Sequence, residues 1–189
     1  MADGPLAFSC ECGTVRGEVS PGQDLAIRCH CSDCRSAYTI HDRPDPGPVE
    51  ILQVTQGRMR FTSGADHVAA LRLGPKGGLR IYAACCRSPL AYIGPKPRIA
   101  FAALNADRLD DPSAFGPVEA EAFVPKRGGG QTHKGLLRMM SGLASRILSE
   151  NLSGDWRNSP FFDKGGDPVH AARQISRAER AEARRRLRP

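Results

Sequence analysis

The sequence predicts a mainly β domain of antiparallel sheets followed by C-terminal helices. Three observations support this fold class: short apolar or β-branched runs recur along the chain, glycine and proline separate them, and the periodicity becomes helical after Pro125. Runs at this short spacing are typical of an antiparallel β domain. They span residues 25–27, 49–54, 59–61, 68–73, 79–82, 90–93 and 99–104.

The first C-terminal helix is predicted from Leu136, Met140, Leu143 and Ile147, which recur at helical spacing. The pattern indicates an amphipathic helix. We expect its apolar face to pack on the β domain. Binding to a partner or to a membrane surface is the alternative interpretation of that face.

The second helix is predicted to begin at Asp167-Pro168, where an N-cap residue precedes a proline at the first helical position. It would run into the arginine-rich end of the chain. Together these features predict a zinc-binding β domain over residues 6–126. A helical extension with an arginine-rich tail would follow over residues 127–189.

The basic charge of the chain is concentrated in that tail. Residues 171–189 hold seven arginines against Glu179 and Glu182, and so carry +5 of the net charge of +7. The remaining body is nearly neutral. Any binding of nucleic acid would therefore involve the tail, because the body has no basic patch interleaved with aromatic residues. The seven arginines are Arg173, Arg177, Arg180, Arg184, Arg185, Arg186 and Arg188.

A cytoplasmic location is expected, because the N-terminus lacks the pattern of a secretory signal. No run approaches the roughly 18 apolar residues of a membrane span, so we expect no membrane partner. In a reducing compartment, clustered cysteines indicate metal ligands or catalytic thiols more often than disulfides. The odd number of cysteines, seven, also argues against a simple disulfide framework.

The cysteines fall into three tight groups, as expected for zinc ligands presented by short loops. The first and third groups suit a closed structural site. The middle group offers three sulfurs within six residues, and three protein ligands are typical of a catalytic zinc. The groups are Cys10 and Cys12, then Cys29, Cys31 and Cys34, then Cys85 and Cys86.

Alternatives remain for two of the groups. The middle group could be a second closed site, with His41 or His30 as its fourth ligand. In the third group, either Cys85 or Cys86 could be a small buried side chain. Adjacent residues of an extended chain point to opposite faces, so both sulfurs reach one metal only if the backbone turns there.

These motifs together resemble the glutathione-dependent formaldehyde-activating enzyme family, which includes centromere protein V. The resemblance rests on the order and spacing of several pieces between about residue 8 and about residue 124. It implies a β-tent fold of antiparallel sheets with two zinc positions. By position, Cys10, Cys12 and Cys86 would be structural ligands, and Cys29, Cys31 and Cys34 would bind the catalytic zinc. The pieces are Cys10-x-Cys12-Gly13, Cys29-His30-Cys31-x-x-Cys34-Arg35, Tyr82 to Leu90, and Leu109-Asp110-Asp111-Pro112.

The chain also departs from the family pattern. Ala83 stands where the family has the first cysteine of the third group, and Arg87 stands where it has a glycine. Either Cys85 replaces the missing sulfur through a tighter turn, or the structural site has three protein ligands. Residues 36–48 contain three prolines where the family continues into a glycine and an apolar strand. These residues border the expected catalytic site, so its substrate does not transfer directly.

The expected function is that of a carbon–sulfur lyase acting on a small thiol adduct. In the family the thiol is glutathione, which is the expected co-substrate here, and Arg35 is the expected contact for its carboxylate. Arg72, Arg80 and Arg87 are alternatives for that contact. The competing hypothesis is a zinc-stabilised binding module that uses the arginine-rich tail for nucleic acid or an acidic partner.

Overall fold

The computed structural model describes residues 4–188, and within them twelve strands and three α-helices are formed. The strands are β1 (Leu6–Ser9), β2 (Arg16–Val19), β3 (Leu25–Cys29), β4 (Val49–Val54), β5 (Met59–Ser63), β6 (Val68–Arg72), β7 (Leu79–Ala83), β8 (Pro89–Ile93), β9 (Ala102–Asn105), β10 (Ala120–Pro125), β11 (Gln131–Lys134) and β12 (Ala172–Gln174). The helices are α1 (Ser32–Thr39), α2 (Leu136–Ser153) and α3 (Arg177–Arg185).

The strands form two sheets, which confirms the mainly β fold class. The smaller sheet has the order β1-β2-β5, and the larger has the order β11-β10-β3-β4-β9-β8-β7-β6-β12. Most pairs are antiparallel, but β10 runs parallel to β3 and β12 runs parallel to β6. The expectation of purely antiparallel sheets is therefore wrong at these two pairs. Both strands return to the sheet over long connections, which parallel pairing requires.

The main hydrophobic core lies between the two sheets. Phe8, Val19 and Met59 come from the smaller sheet and pack with Leu52 and Leu104 of the larger one. The opposite face of the larger sheet carries a second cluster, against which α1 and α2 pack. Because both faces of the larger sheet are covered, its central strands are mostly apolar in sequence, with little alternation between apolar and polar residues.

The C-terminal residues contribute to both the sheet and the core. Strands β11 and β12 occupy the two edges of the larger sheet, and Phe161 and Phe162 are buried in the main core. The ring of Phe161 packs edge-on against Phe61 of β5, with centroids 5.8 Å apart. The division of the chain at residue 126 stays a prediction. The structure adds that the segment beyond it contains strands and core aromatics as well as helices.

The amphipathic helix is confirmed as α2, but its predicted apolar face is only partly covered. Of the four residues that defined that face, Leu143 and Ile147 are partly buried, whereas Leu136 and Met140 are exposed. The buried residues of the helix are instead Arg146 and Glu150. Glycines in the left-handed conformation flank the helix at both ends, at positions 135 and 154. Across residues 4–188, no helix combines the length and apolar character needed to span a bilayer.

The predicted start of the second helix at Asp167-Pro168 is wrong. Pro168 bridges to Phe162, and the residues that follow pair with β6 as strand β12. Helix α3 begins only after Ser176, whose side chain accepts from the backbone of Glu179, while the Glu179 side chain accepts from the backbone of Ser176. This reciprocal capping box satisfies two backbone donors and sets the start of the helix.

Replacing Phe161 by alanine should lower the free energy of unfolding by about 3–5 kcal/mol, because it leaves a cavity in the core between the sheets. Leu137→Ala is the matched control, since that side chain is 87% exposed and its loss should change stability by less than about 0.5 kcal/mol. Urea unfolding of the metal-loaded protein measures both values. Equal stabilities for the two variants would contradict the placement of Phe161.

Candidate metal centres

In the structure the seven cysteines form two groups, and the first group consists of Cys10, Cys12, Cys85 and Cys86. Two loops from different sheets bring these four residues together. Cys10 and Cys12 lie in the turn between β1 and β2, where Gly13 adopts a positive φ of 75°. Cys85 and Cys86 lie in the turn between β7 and β8. The first hairpin belongs to the smaller sheet and the second to the larger one, so this group joins the two sheets.

The four sulfurs are spaced as one metal ion would require. All four Sγ atoms lie within 4.8 Å of one another. Cys10 Sγ is 3.5 Å from Cys12 Sγ and 3.9 Å from Cys85 Sγ, and the Sγ atoms of Cys12 and Cys85 are 3.4 Å apart. A tetrahedron with Zn–S bonds near 2.3 Å has S–S edges of about 3.8 Å. The group can therefore hold one metal ion.

The backbone between β7 and β8 turns sharply enough for both adjacent cysteines to join this group. The Ala83 amide donates to the Ser88 carbonyl at 3.0 Å, and Arg87 adopts a positive φ of 57°. Ala83 itself is fully buried in the main core. The Thr14 hydroxyl, 3.3 Å from Cys12 Sγ, lowers the pKa of that thiol to about 6, as a thiolate ligand needs.

Arg43 braces the two cysteine loops against each other. Its guanidinium binds both carboxylate oxygens of Glu11, at 2.5 and 2.6 Å, and donates to the carbonyls of Cys86 and Arg87. Glu11 also pairs with the buried Arg108 at 3.3 Å. Arg43 lies in the proline-rich segment 36–48, and nothing in the sequence pattern indicated this role.

The second group consists of Cys29, Cys31 and Cys34 and lies where β3 passes into α1. Cys29 is the last residue of β3, Cys31 is the N-cap of α1, and Cys34 lies in the first turn of that helix. The Cys31 sulfur accepts from the Cys34 backbone amide at 3.3 Å, so the cap itself orients the sulfur. The junction of strand and helix thus turns three side chains toward one point.

The three Sγ atoms of this group also lie within 4.8 Å of one another, and those of Cys29 and Cys31 are 3.4 Å apart. In the described part of the chain, neither His30 nor His41 completes the group. His30 instead contacts Glu121 at 3.2 Å, and His41 stacks on Tyr82 with centroids 4.2 Å apart. The protein supplies three sulfurs here and four at the first group.

A cavity of about 590 Å³ borders the second group. Its floor is the outer face of the larger sheet, and α1, α2 and β11 form its walls. A volume of this size suits a small organic ligand. Burial and the charges of Arg173, Arg87 and Arg43 lower the pKa of His41, which lines the cavity, to about 4. His41 is therefore neutral at pH 7.

Arg80 is the arginine that reaches the three sulfurs. Its Nη1 atom lies 3.7 Å from Cys34 Sγ, and its guanidinium stacks over the Tyr92 ring at 4.3 Å from the centroid. Hydrogen bonds from the thiols of Cys29 and Cys31, together with the charge of Arg80, hold the pKa of Cys34 well below its ordinary value. Hydrogen bonds among the three thiols and burial raise the pKa values of Cys29 and Cys31, so the arrangement stabilises negative charge at the Cys34 sulfur in particular.

The structure places Arg35, the predicted substrate contact, outside this cavity. Its guanidinium pairs with Asp45 and holds the pKa of that carboxyl at about 2. It also donates to the Arg188 carbonyl at 2.7 Å. Of the three alternative arginines, the two other than Arg80 also have partners elsewhere. Arg72 donates to the Gly77 carbonyl, and Arg87 pairs with Asp42.

Helix α3 is fastened to α1 beside the second group. Arg180 binds both carboxylate oxygens of Asp33 at 3.1 Å, and Arg184 binds the Oδ1 atom at 2.6 Å. Buried Thr39 donates to the Ala183 carbonyl at 2.8 Å. Asp33 lies between Cys31 and Cys34, so these pairs hold the helix that presents two of the three sulfurs.

Most of the basic charge of the tail is paired within the chain. Of the seven arginines, six pair with carboxylates of residues 4–188. The pairs are Arg173 with Glu179, Arg180 and Arg184 with Asp33, Arg185 with Glu182, Arg186 with Asp42 and Glu182, and Arg188 with Asp45.

Comparison with known proteins gives one family match. Residues 3–173 match the model of a family of unknown function, DUF6151. No curated protein matches the chain. The crystal structure of a Rhodobacter sphaeroides protein, a Northeast Structural Genomics target, is similar with a TM-score of 0.45 and 21% sequence identity. That similarity covers 60% of this chain and 97% of the other.

Reduced, metal-replete protein should contain about two zinc ions per chain, one for each group. Cys31→Ser should remove one ion with little loss of stability. Cys12→Ser should also remove one but lower the unfolding temperature strongly, because that metal joins two sheets. Elemental analysis and thermal unfolding test this prediction. Equal destabilisation by both variants would indicate two structural sites, and zinc-free protein would exclude both.

Removing the two arginine contacts from α3 to Asp33 should weaken metal binding at the second group by about 10- to 100-fold, as loss of a supporting contact commonly does. The double variant Arg180→Met/Arg184→Met removes both contacts to Asp33 and leaves α1 intact. Glu182→Gln is the control, because Glu182 pairs only with arginines of the α3 segment. Competition with a metal chelator measures the affinity. Unchanged affinity in the double variant would show that the arginine contacts to Asp33 do not support the site.

Proposed function

We propose that this chain, which belongs to the DUF6151 family of unknown function, is a zinc-dependent carbon–sulfur lyase acting on a small thiol adduct. The observation that carries the proposal is the three-sulfur group of Cys29, Cys31 and Cys34 at the wall of a cavity large enough for a small organic molecule. A structural metal site has no need of such a cavity. A site that admits a substrate beside its metal does.

The proposed reaction joins a thiol to an aldehyde, or reverses that step. The thiol sulfur attacks the carbonyl carbon, a carbon–sulfur bond forms, and the carbonyl oxygen gains the proton that the thiol loses. A zinc ion bound by the three cysteines would lower the pKa of the thiol and so raise the concentration of the nucleophilic thiolate.

The chain's own residues have separate tasks in this proposal. Arg80, 3.7 Å from Cys34 Sγ, offsets the negative charge that accumulates when three cysteine thiolates and a substrate thiolate meet. His41, neutral at pH 7, offers a hydrogen bond without adding charge. The apolar walls keep water from the reacting carbon, so attack by the thiol competes less with hydration of the aldehyde.

The same proposal gives the other cysteine group a structural role. We propose that zinc bound by Cys10, Cys12, Cys85 and Cys86 staples the two sheets in a β-tent arrangement. The proposal is supported by the four sulfurs lying within 4.8 Å and by the brace of Arg43 across their loops. The motif resemblance to the glutathione-dependent formaldehyde-activating enzymes supports both roles. In this interpretation Cys85 replaces the family cysteine that is missing at Ala83.

The competing function, a binding module that uses its basic tail, is less favoured. Binding to nucleic acid gains affinity from lysines and arginines that neutralise phosphates. Six tail arginines already pair with carboxylates of the chain, and those pairs would have to open first. We therefore expect little salt-dependent binding to nucleic acid.

Zinc-loaded protein should accelerate the exchange between a thiol plus formaldehyde and the S-hydroxymethyl adduct by at least about tenfold over the uncatalysed rate. Exchange NMR measures the rate for glutathione, 2-mercaptoethanol and phenylmethanethiol. Cys34→Ser should abolish the acceleration, whereas Glu182→Gln should retain it. If a fully zinc-loaded protein accelerated exchange for none of the three thiols, the proposed function would be wrong.

A further inference from the structure

The cavity beside the second cysteine group is apolar over most of its surface. Its floor is formed by aliphatic side chains of the central strands, and α2 adds two methionine side chains at the opposite wall. Apolar walls bind apolar ligand surface, at a gain of about 0.8 kcal/mol per buried methylene. Representative lining residues are Ile27, Ile51, Phe101, Ala103, Met139 and Met140.

An aromatic wall stands next to the sulfurs. Tyr92 and Phe101 pack edge-to-face with centroids 5.8 Å apart, and Arg80 covers the Tyr92 ring. This wall extends from the guanidinium at the sulfurs into the cavity. A planar apolar group of the ligand can contact either ring of this wall, in a stacked or an edge-on arrangement.

The cavity is poor in free charge. Of the two arginines that line it, Arg184 is bound to Asp33. Arg80 is held over the Tyr92 ring, with its Nη1 atom 3.7 Å from Cys34 Sγ. No carboxylate within residues 4–188 pairs with Arg80. A ligand therefore meets one available cation, and the carboxylate of Asp33 is already bound by two arginines.

From this lining we infer that the thiol substrate has an apolar body, aryl or branched alkyl, with at most one anionic or carbonyl group for Arg80. The inference rests on the proposed function and specifies its substrate class. Glutathione carries two carboxylates, an ammonium group and two peptide units. Moving all of these into a mainly apolar cavity with one free cation would bury charged groups without charged partners, which is costly.

Titration of the cobalt(II)-loaded protein with thiols tests the inference without requiring turnover, because a thiolate bound beside the cysteines alters the visible and near-ultraviolet absorption. Phenylmethanethiol should bind at least tenfold more tightly than glutathione. It should also bind more tightly than 2-mercaptoethanol, a thiol of similar acidity without an apolar body. The difference between those two thiols isolates the contribution of the walls.

A variant in the wall gives an independent readout. Met139→Gln keeps the length of the side chain but adds a polar amide, and should weaken phenylmethanethiol binding about three- to tenfold while leaving 2-mercaptoethanol unchanged. Leu137→Gln on the same helix is the matched control, since Leu137 is 87% exposed and does not line the cavity. It should leave both affinities unchanged.

The outcomes separate the inference from the function on which it rests. Glutathione binding as tightly as phenylmethanethiol, or more tightly, would overturn the apolar substrate class and leave the thiol function standing. A site filled with cobalt whose spectrum responds to none of the thiols would overturn both. If Met139→Gln fails to fold, the relative affinities of the wild-type protein for the three thiols test the apolar substrate class by themselves.

Discussion

The junction between two cysteine loops is the constraint on which the arrangement of the sheets depends. One loop joins two strands of the smaller sheet and the other joins two strands of the larger sheet, so the four sulfurs meet only when the sheets are correctly packed. Arg43 and Glu11 reinforce the same junction with charge-assisted hydrogen bonds. Because the core contains few aromatic residues, a contact that fixes the two sheets at one point adds to the stability of the fold.

The larger sheet divides the molecule by its two faces. One face packs on the smaller sheet and on Phe161, and forms the main core. The other face supplies the floor of the cavity and carries Cys29 at the end of β3. This division allows the cavity face to remain incompletely packed, because the opposite face buries most of the apolar side chains.

The C-terminal residues complete both halves of that arrangement. Phe161 and Phe162 fill the main core, β12 extends the sheet beside β6, and α3 holds α1 through Asp33. The arginines that dominate the charge of the tail thus act mainly as internal partners of acidic residues. Charge counted along a sequence does not distinguish a surface for phosphates from a set of ion pairs, since both require the same residues.

The sequence by itself determined the mainly β fold class, most of the central strands, the amphipathic helix and the three groups of cysteines. These features are local: periodicity, turn residues and ligand spacing all lie within a few residues of one another. Strands β1, β2, β10, β11 and β12 lie outside the predicted apolar runs, and the start of α3 was misplaced. For β10 and β12, parallel pairing with distant strands overrides weak local patterns.

Only the tertiary structure decided which distant groups meet. It turned both Cys85 and Cys86 toward Cys10 and Cys12, where the sequence had left open whether one of the two takes part, and it placed Arg80 rather than Arg35 beside the Cys34 sulfur. Every arginine named in the sequence was chemically suited to that contact. The choice among them depends on strand register and on which carboxylates lie nearby, and these are properties of the packed chain rather than of any short segment of it.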